Sequence, residues 1–351
     1  MDRLSDYDYE LPSELIASEP TLRREDARLL VVHRDSGKLE HRTIRDLPEY
    51  LLAGDAIVLN DTKVLPARLF GTRTATGGKW EGLFLSADSD GNWHLLSHTK
   101  GKLQPGETIT VRKAHAPEDP ETIVLTLLKR GEEGEWSVRP DPAASHIELL
   151  EKFGTMPLPP YMKKPIATEH DRVRYQTTFA DRPGSVAAPT AGLHFTPELL
   201  AQCARREVQI EKVTLHVGIG TFRPIQVERL DEHVMHSEWC ELTVDTSARL
   251  NDVKGSGGRI FAIGTTSVRT LESASSSQKL APFSGHTDLF IRPPYEFLVV
   301  DALVTNFHLP QSSLLVLVST FAGLELVREA YRTAIREKYR FYSYGDAMLI
   351  L

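Results

Sequence analysis

Several acid, base and hydrogen-bonding side chains fall just after apolar, strand-like runs. His194 follows Val186-Ala187-Ala188 through a Pro189-Thr190-Ala191-Gly192 turn, and His216 sits in the run from Ile210 to Val217. Thr265 and Thr266 follow Arg259 to Ile263, while Asn306 and His308 follow a run from Phe297 to Val304. In α/β proteins the carboxyl ends of strands gather at one crevice, where reactive groups sit. Imidazole titrates near neutral pH and can give or take a proton. His194, His216 and His308 are therefore candidates for general acid and base, although a single histidine after a strand is more often a structural hydrogen-bonder. Gly264-Thr265-Thr266-Ser267-Val268-Arg269 puts backbone N–H groups and hydroxyls at a helix start, which suits an anion; a plain helix cap explains the string equally well.

Other clusters carry weaker chemistry. His233-Val234-Met235-His236-Ser237-Glu238 brings two histidines and a carboxylate together, but the spacing is not H-E-x-x-H, and a solvated segment is the better reading. Lys63, Arg68, Arg73 and Lys79 lie between Thr62 and Trp80 with no acidic residue among them, a basic stretch that could follow a phosphate backbone. Arg340 and Tyr342 belong to a segment near the carboxyl end that mixes cations with stackable rings, where core packing competes with base stacking. No G-x-x-x-x-G-K-[ST] loop occurs, and no G-x-G-x-x-G follows a strand, so ATP and NAD are unsupported.

The elements that would position these groups fall into two textures. Up to about residue 65, and again from about 156, apolar runs alternate with turns and helical segments, including Thr196-Pro197-Glu198, an N-cap followed by proline at the first helical position. Repeated strand-to-helix units imply a largely parallel or barrel-like α/β arrangement. Between them, residues 66–155 carry short alternating runs such as Thr122 to Leu128, punctuated by Gly77-Gly78, Pro105-Gly106 and Gly131-Glu132-Glu133-Gly134. That spacing reads as a small antiparallel β-barrel inserted into the α/β domain. The expected division is 1–65 plus 156–351 for the catalytic domain and 66–155 for the insert.

With 41 basic and 48 acidic residues the formal charge is −7, which excludes a generally polybasic binder but not a local basic groove. The only cysteines, Cys203 and Cys240, form no C-x-x-C pair, so neither a disulfide framework nor a thiolate zinc site is expected. No signal-peptide pattern opens the chain and no apolar run approaches the length of a membrane helix, so a cytoplasmic protein is expected.

Longer strings resemble one family, the S-adenosylmethionine:tRNA ribosyltransferase-isomerases of queuosine biosynthesis. They include Asn60-Asp61-Thr62-Lys63-Val64-Leu65-Pro66-Ala67-Arg68-Leu69, Val186 to Phe195, Thr214-Leu215-His216-Val217-Gly218 and His236-Ser237-Glu238-Trp239. Gly264 to Thr270, Asp301 to Pro310 and Tyr339 to Met348 continue the series in order along the chain. The resemblance implies a catalytic α/β barrel-like domain interrupted by a β-barrel. It implies transfer and isomerisation of the ribosyl part of S-adenosylmethionine onto 7-aminomethyl-7-deazaguanine at the tRNA wobble position, giving epoxyqueuosine with loss of adenine and methionine. In the family's route the sulfonium acidifies the C5′ protons, a base removes one, adenine leaves, and the tRNA amine attacks before methionine departs. No cofactor beyond S-adenosylmethionine is implied, and a monomer is expected.

On this resemblance the three histidines supply acid and base. Arg269 with Thr265 and Thr266 grips the methionine carboxylate or a tRNA phosphate, and Asp301, Asn306 and Glu238 bond the ribose or adenine. Lys63, Arg68, Arg73, Lys79, Arg340 and Tyr342 meet tRNA. The chain departs from the family pattern at Trp80, Gly82, Thr99-Lys100-Gly101-Lys102, Lys163-Lys164 and Pro294, mainly in the insert and loops. A metal-dependent hydrolase using His233, His236 and Glu238, and a noncatalytic tRNA-binding protein, are the alternatives.

Overall fold

The computed structural model describes residues 3–132, 134–162, 164–218, 220 and 225–351. Glu133 of the expected Gly131-Glu132-Glu133-Gly134 turn and Lys163 of the departing Lys163-Lys164 pair lie outside the described residues. The chain begins with strands β1 (Arg28–Val32), β2 (Leu39–Thr43), β3 (Ala56–Asn60) and β4 (Thr62–Val64). Six more follow: β5 (Arg68–Arg73), β6 (Lys79–Ala87), β7 (Trp93–Thr99), β8 (Thr108–Arg112), β9 (Thr122–Arg130) and β10 (Glu135–Asp141). Helices α1 (His146–Phe153) and α2 (Glu169–Arg174) lead to β11 (Arg182–Ser185), α3 (Pro197–Arg205), β12 (Gln209–Leu215), β13 (Glu238–Leu242) and α4 (Val244–Gly255). Then come β14 (Ile260–Ile263), α5 (Thr265–Ser273), β15 (Ser275–Ser276), β16 (Lys279–Leu280), β17 (Phe283–Thr287), β18 (Ala302–Asn306), α6 (Ser313–Ala322), α7 (Leu324–Arg336) and β19 (Ala347–Ile350).

These elements pack into two compact units. One runs to Thr62 and takes in Gln176–Arg182 and Ala188–Leu351; the other comprises Lys63–Tyr175 and Pro183–Ala187. The first holds a nine-stranded mixed sheet in the order β17-β13-β12-β3-β14-β18-β19-β1-β2. Its middle strands β12, β3, β14 and β18 are parallel. Every residue of β3 is buried because both faces of the sheet are covered. Ala56 and Val58 pack with Leu250 of α4, Val268 of α5 and Val316 of α6, whereas Ile57 and Leu59 pack with Leu199 and Cys203 of α3. The common direction of the middle strands brings Asp61, His216, Thr265, Asn306 and His308 to one edge.

The run expected as a strand from Phe297 to Val304 begins its strand only at Ala302. The reason is Glu272, buried on α5, whose carboxylate accepts the N–H groups of Leu298 (2.9 Å), Val299 (3.2 Å) and Val300 (3.1 Å). Those donors would otherwise need a neighbouring strand. Strand formation therefore starts only beyond the reach of that side chain.

The second unit contains a closed antiparallel barrel in the order β10-β7-β6-β5-β8-β9. Alternate residues of β9, Ile123, Leu125 and Leu127, fill its interior. Two family departures meet here as one packing solution. A Cβ on Gly82 would stand 2.1 Å from the tip of the Trp80 indole, so the large ring fits because its neighbour has no side chain. The Trp80 indole N–H donates to Ser97 Oγ at 2.6 Å, which fixes the ring in that position. Gly82→Ala is expected to destabilise the protein by about 1–3 kcal/mol through overpacking. In a Trp80→Leu background the same change should cost much less; equal costs in a denaturant double-mutant cycle would refute the coupling.

A candidate active site at the strand ends

Helix α5 starts from Gly264, whose φ of 87° is a conformation suited to glycine. One turn later Arg269 points back toward β13 and β17. Its guanidinium pairs with Glu238 and also donates to the Thr287 and Leu289 carbonyls at 3.3 and 3.2 Å. Glu238 in turn accepts the Gly218 N–H at 2.8 Å. Both side chains are shut away from water, at 5% and 4% exposure. Arg269 and Glu238, read from sequence as separate ligand contacts, thus bind each other and brace α5 against the sheet edge.

His194 ends a 3-10 turn, Thr190–His194, held by Arg24: its guanidinium donates to the Leu193 and Gln176 carbonyls at 2.8 and 2.9 Å. The ring is 5% exposed, and its Nε2 has no hydrogen-bond partner. Burial pushes its pKa down to about 4; the Arg24 carbonyl and the Asn306 side chain oppose this, and the Arg340 and Arg24 charges reinforce it. Asn306, 2% exposed, donates through Nδ2 to the Tyr342 carbonyl at 2.9 Å while its Oδ1 is unpartnered. Thr266 Oγ1 is likewise buried without a partner. Thr265 is buried at the first position of α5.

His308 Nε2 is hydrogen-bonded to Thr305 Oγ1 at 2.8 Å. Its peptide is fixed from both sides, the N–H donating to the Tyr331 hydroxyl at 3.0 Å and the carbonyl accepting from the Tyr9 hydroxyl. Burial lowers its pKa to about 3. His216 Nδ1 is hydrogen-bonded to Thr62 Oγ1 at 2.8 Å, and the ring stacks on Trp239 with centroids 5.0 Å apart and planes 23° from parallel. Burial, aided by the Arg182 charge, depresses its pKa to about 4. Nearby Asp61 accepts from Thr214 Oγ1 at 2.7 Å, and burial raises its carboxyl above the usual range.

Other expected site residues lie elsewhere or act differently. Asp301 precedes β18, at the opposite end from Asn306, and is bound to Lys254 at 2.7 Å and to the Ile260 N–H at 2.8 Å. Arg340 donates through Nη1 to the Glu19 carbonyl at 3.2 Å, and its charge reaches His194. Tyr342 contributes the carbonyl that orients Asn306. In the barrel unit, Arg68 pairs with Glu81 and Arg73 with Glu107, each at 2.6 Å, so neighbouring strands neutralise half of the basic stretch; Lys63 is half-buried and Lys79 exposed. His233 packs edge-on against Phe290, and Glu238 is held by Arg269, which leaves the proposed metal set without its carboxylate. Sequence reasoning did not select Arg24, Asp61, Thr62 or Trp239 as site residues, although the last three fall inside the family strings.

A two-face-covered α/β sheet with the buried imidazoles of His194 and His308 and the half-buried one of His216 at its carboxyl edge defines an enzyme-like site of the strand-end class. Residues 4–350 match the family described as queuosine biosynthesis protein, and the chain belongs to that family. It is 49% identical over 350 residues to S-adenosylmethionine:tRNA ribosyltransferase-isomerase of Symbiobacterium thermophilum and 48% identical over 350 residues to that of Desulforamulus reducens, covering 99% of this chain and 100% of each relative. The crystal structure of S-adenosylmethionine tRNA ribosyltransferase from Thermotoga maritima superposes with a TM-score of 0.56 at 38% identity, covering 99% of this chain and all of the other.

Because the folded pKa values of His194, His216 and His308 lie below the ordinary value near 6.5, the unfolded chain binds protons first on acidification. Stability should be unaffected by these groups above that value and fall as pH drops toward about 4. An NMR titration is expected to show these three rings still neutral at pH ~5, below the ordinary histidine value; protonation near the ordinary value would contradict the assigned burial.

Proposed function

We propose that this chain transfers and isomerises the ribosyl moiety of S-adenosylmethionine onto 7-aminomethyl-7-deazaguanine at the wobble position of tRNA, giving epoxyqueuosine-tRNA and releasing adenine and methionine. The observation that carries this reading is full-length identity of 46–49% to relatives bearing the ribosyltransferase-isomerase name. S-adenosylmethionine is the family's cosubstrate. The cytoplasm, where tRNA is modified, is the proposed compartment, and among the described residues no helix is long and apolar enough to cross a membrane.

The site's chemistry is compatible with this reaction. Removal of an acidified C5′ proton needs an acceptor with a free lone pair, and the imidazoles at the strand ends, held uncharged by their surroundings, supply one. Shielding from water, evident in the burial of His194, Asn306 and His308, protects a reactive intermediate. Lys79 and the other exposed cations of the barrel unit are proposed to meet the tRNA backbone, a contact that should weaken with salt.

The deciding experiment incubates the protein with S-adenosylmethionine and tRNA carrying the aminomethyl base, then measures adenine and modified nucleoside by mass spectrometry. Equal yields of the two are expected; folded protein that forms neither would refute the assignment. His216→Ala and His308→Ala are each expected to lower turnover by about 10²–10⁴-fold if their imidazoles move protons. Full turnover in a folded variant removes that histidine from proton transfer.

A further inference from the structure

The N-terminal segment from Asp6 to Glu10 lies over helices α6 and α7 and encloses with them a cavity of about 340 Å³. Small-molecule sites begin at about this size, ~300–1,000 Å³. Its walls are largely apolar: Leu315 of α6, Val327 and Ile335 of α7, and the rings of Tyr9 and Tyr331. One polar group interrupts them. Ser319 of α6 lines the same cavity, is 3% exposed, and its Oγ has no hydrogen-bond partner.

Hydroxyls inside helices commonly donate to the carbonyl one turn back. The next residue, Thr320, does so to Val316 at 2.8 Å, and Ser267 on α5 does so to Ile263 at 2.8 Å. Ser319 has the Leu315 carbonyl one turn back in the same way and makes no such bond. Its hydroxyl borders the cavity unsatisfied, a donor that an acceptor atom on a ligand would engage. The apolar walls would cover the rest of a flat ring.

The charges around the cavity narrow the choice of ligand. Asp6, Asp8 and Glu10 stand against Arg328 and Arg332, and both guanidiniums are already paired. Arg328 donates to Glu325 and to the Asp6 carbonyl, each at 2.7 Å, and Arg332 lies 3.6 Å from Glu329. Among the described residues the carboxylates of Asp6 and Glu10 have no such partner. An anion would meet like charge there, whereas an N–H group would find acceptors.

We infer that this cavity is a binding site for a small uncharged heteroaromatic molecule, with an acceptor atom of its ring facing Ser319 and an N–H group facing the carboxylates of Asp6 and Glu10. The site is independent of the ribosyl-transfer reading, and it has a route to the strand ends. The Tyr331 hydroxyl accepts the His308 N–H at 3.0 Å, and the Tyr9 hydroxyl donates to the His308 carbonyl. The two tyrosine rings meet edge-on, with centroids 5.0 Å apart. A ring packed against these walls therefore touches both groups that hold the His308 peptide.

The test is a calorimetric titration of the full-length protein at neutral pH with benzimidazole, indole and benzoate. Benzimidazole carries an N–H and an acceptor nitrogen, indole has the N–H alone, and benzoate is an anion. Benzimidazole is expected to bind about ten-fold or more tightly than either of the others. Ser319→Ala removes a hydroxyl that bonds nothing in the fold and should erase the advantage over indole. In the unmodified protein, nuclear Overhauser contacts from bound benzimidazole to the methyl groups of Val327 and Ile335 are expected, with a shift of the His308 ring signal. No saturable benzimidazole binding, affinity equal to that of indole, a preference that survives Ser319→Ala, or contacts only to other methyl groups overturns the site. An unmoved His308 signal at saturation overturns its link to the strand ends.

Discussion

The ion pair between Arg269 and Glu238 constrains the site more than any other interaction. Two charges removed from water persist only when their remaining hydrogen-bonding positions are met, and here the Thr287 and Leu289 carbonyls and the Gly218 N–H meet them. The pair thereby fixes helix α5 against β13 and β17. The start of α5, with Thr265 and Thr266, takes its position from that attachment. An arginine one turn into a helix beside a crevice looks like an anion grip; with its guanidinium joined to Glu238, it serves as a strut.

Other buried carboxylates organise the backbone in the same manner. Glu272 gathers the N–H groups before β18 and so sets where that strand begins. Asp55 accepts from the Arg259 peptide and guanidinium, joining the start of β3 to that of β14. Asp346 accepts the Arg28 and Arg340 peptide N–H groups at 2.9 and 2.8 Å, fastening the segment before β19 to β1. Each is an acceptor placed among donors that regular sheet pairing leaves over. Strand ends held this way can present His194, Asn306 and His308 with little freedom, which recognition of a small cosubstrate requires.

Local pattern made much of this legible from sequence. Apolar runs ending in turns marked β3, β12 and β14, and alternating residues marked the barrel, because burial of strand faces depends on neighbours two residues apart. What stayed hidden depends on partners far along the chain. Nothing near Arg68 or Arg73 announces Glu81 on β6 or Glu107 just before β8, and nothing near Phe297 announces Glu272. Asp301 and Asn306 are close in sequence yet occupy opposite ends of one strand. Trp80 and Gly82 looked like two independent departures from the family and are a single steric solution. The family strings indicated the right segments; the roles within them required the fold.

The neutrality of the imidazoles bears on the order of proton movements under the ribosyl-transfer reading. A ring that burial keeps uncharged at neutral pH has no proton to give at the outset, so it must first accept one. It is a weak base, and the reaction compensates because the sulfonium makes the C5′ hydrogen unusually acidic. Once protonated, the same ring is a strong acid in a dry crevice, since the burial that depressed its pKa now drives the proton away. The departing adenine is an acceptor formed at that moment. A single buried histidine could thus serve as base and then as acid, without a second group that begins the cycle protonated.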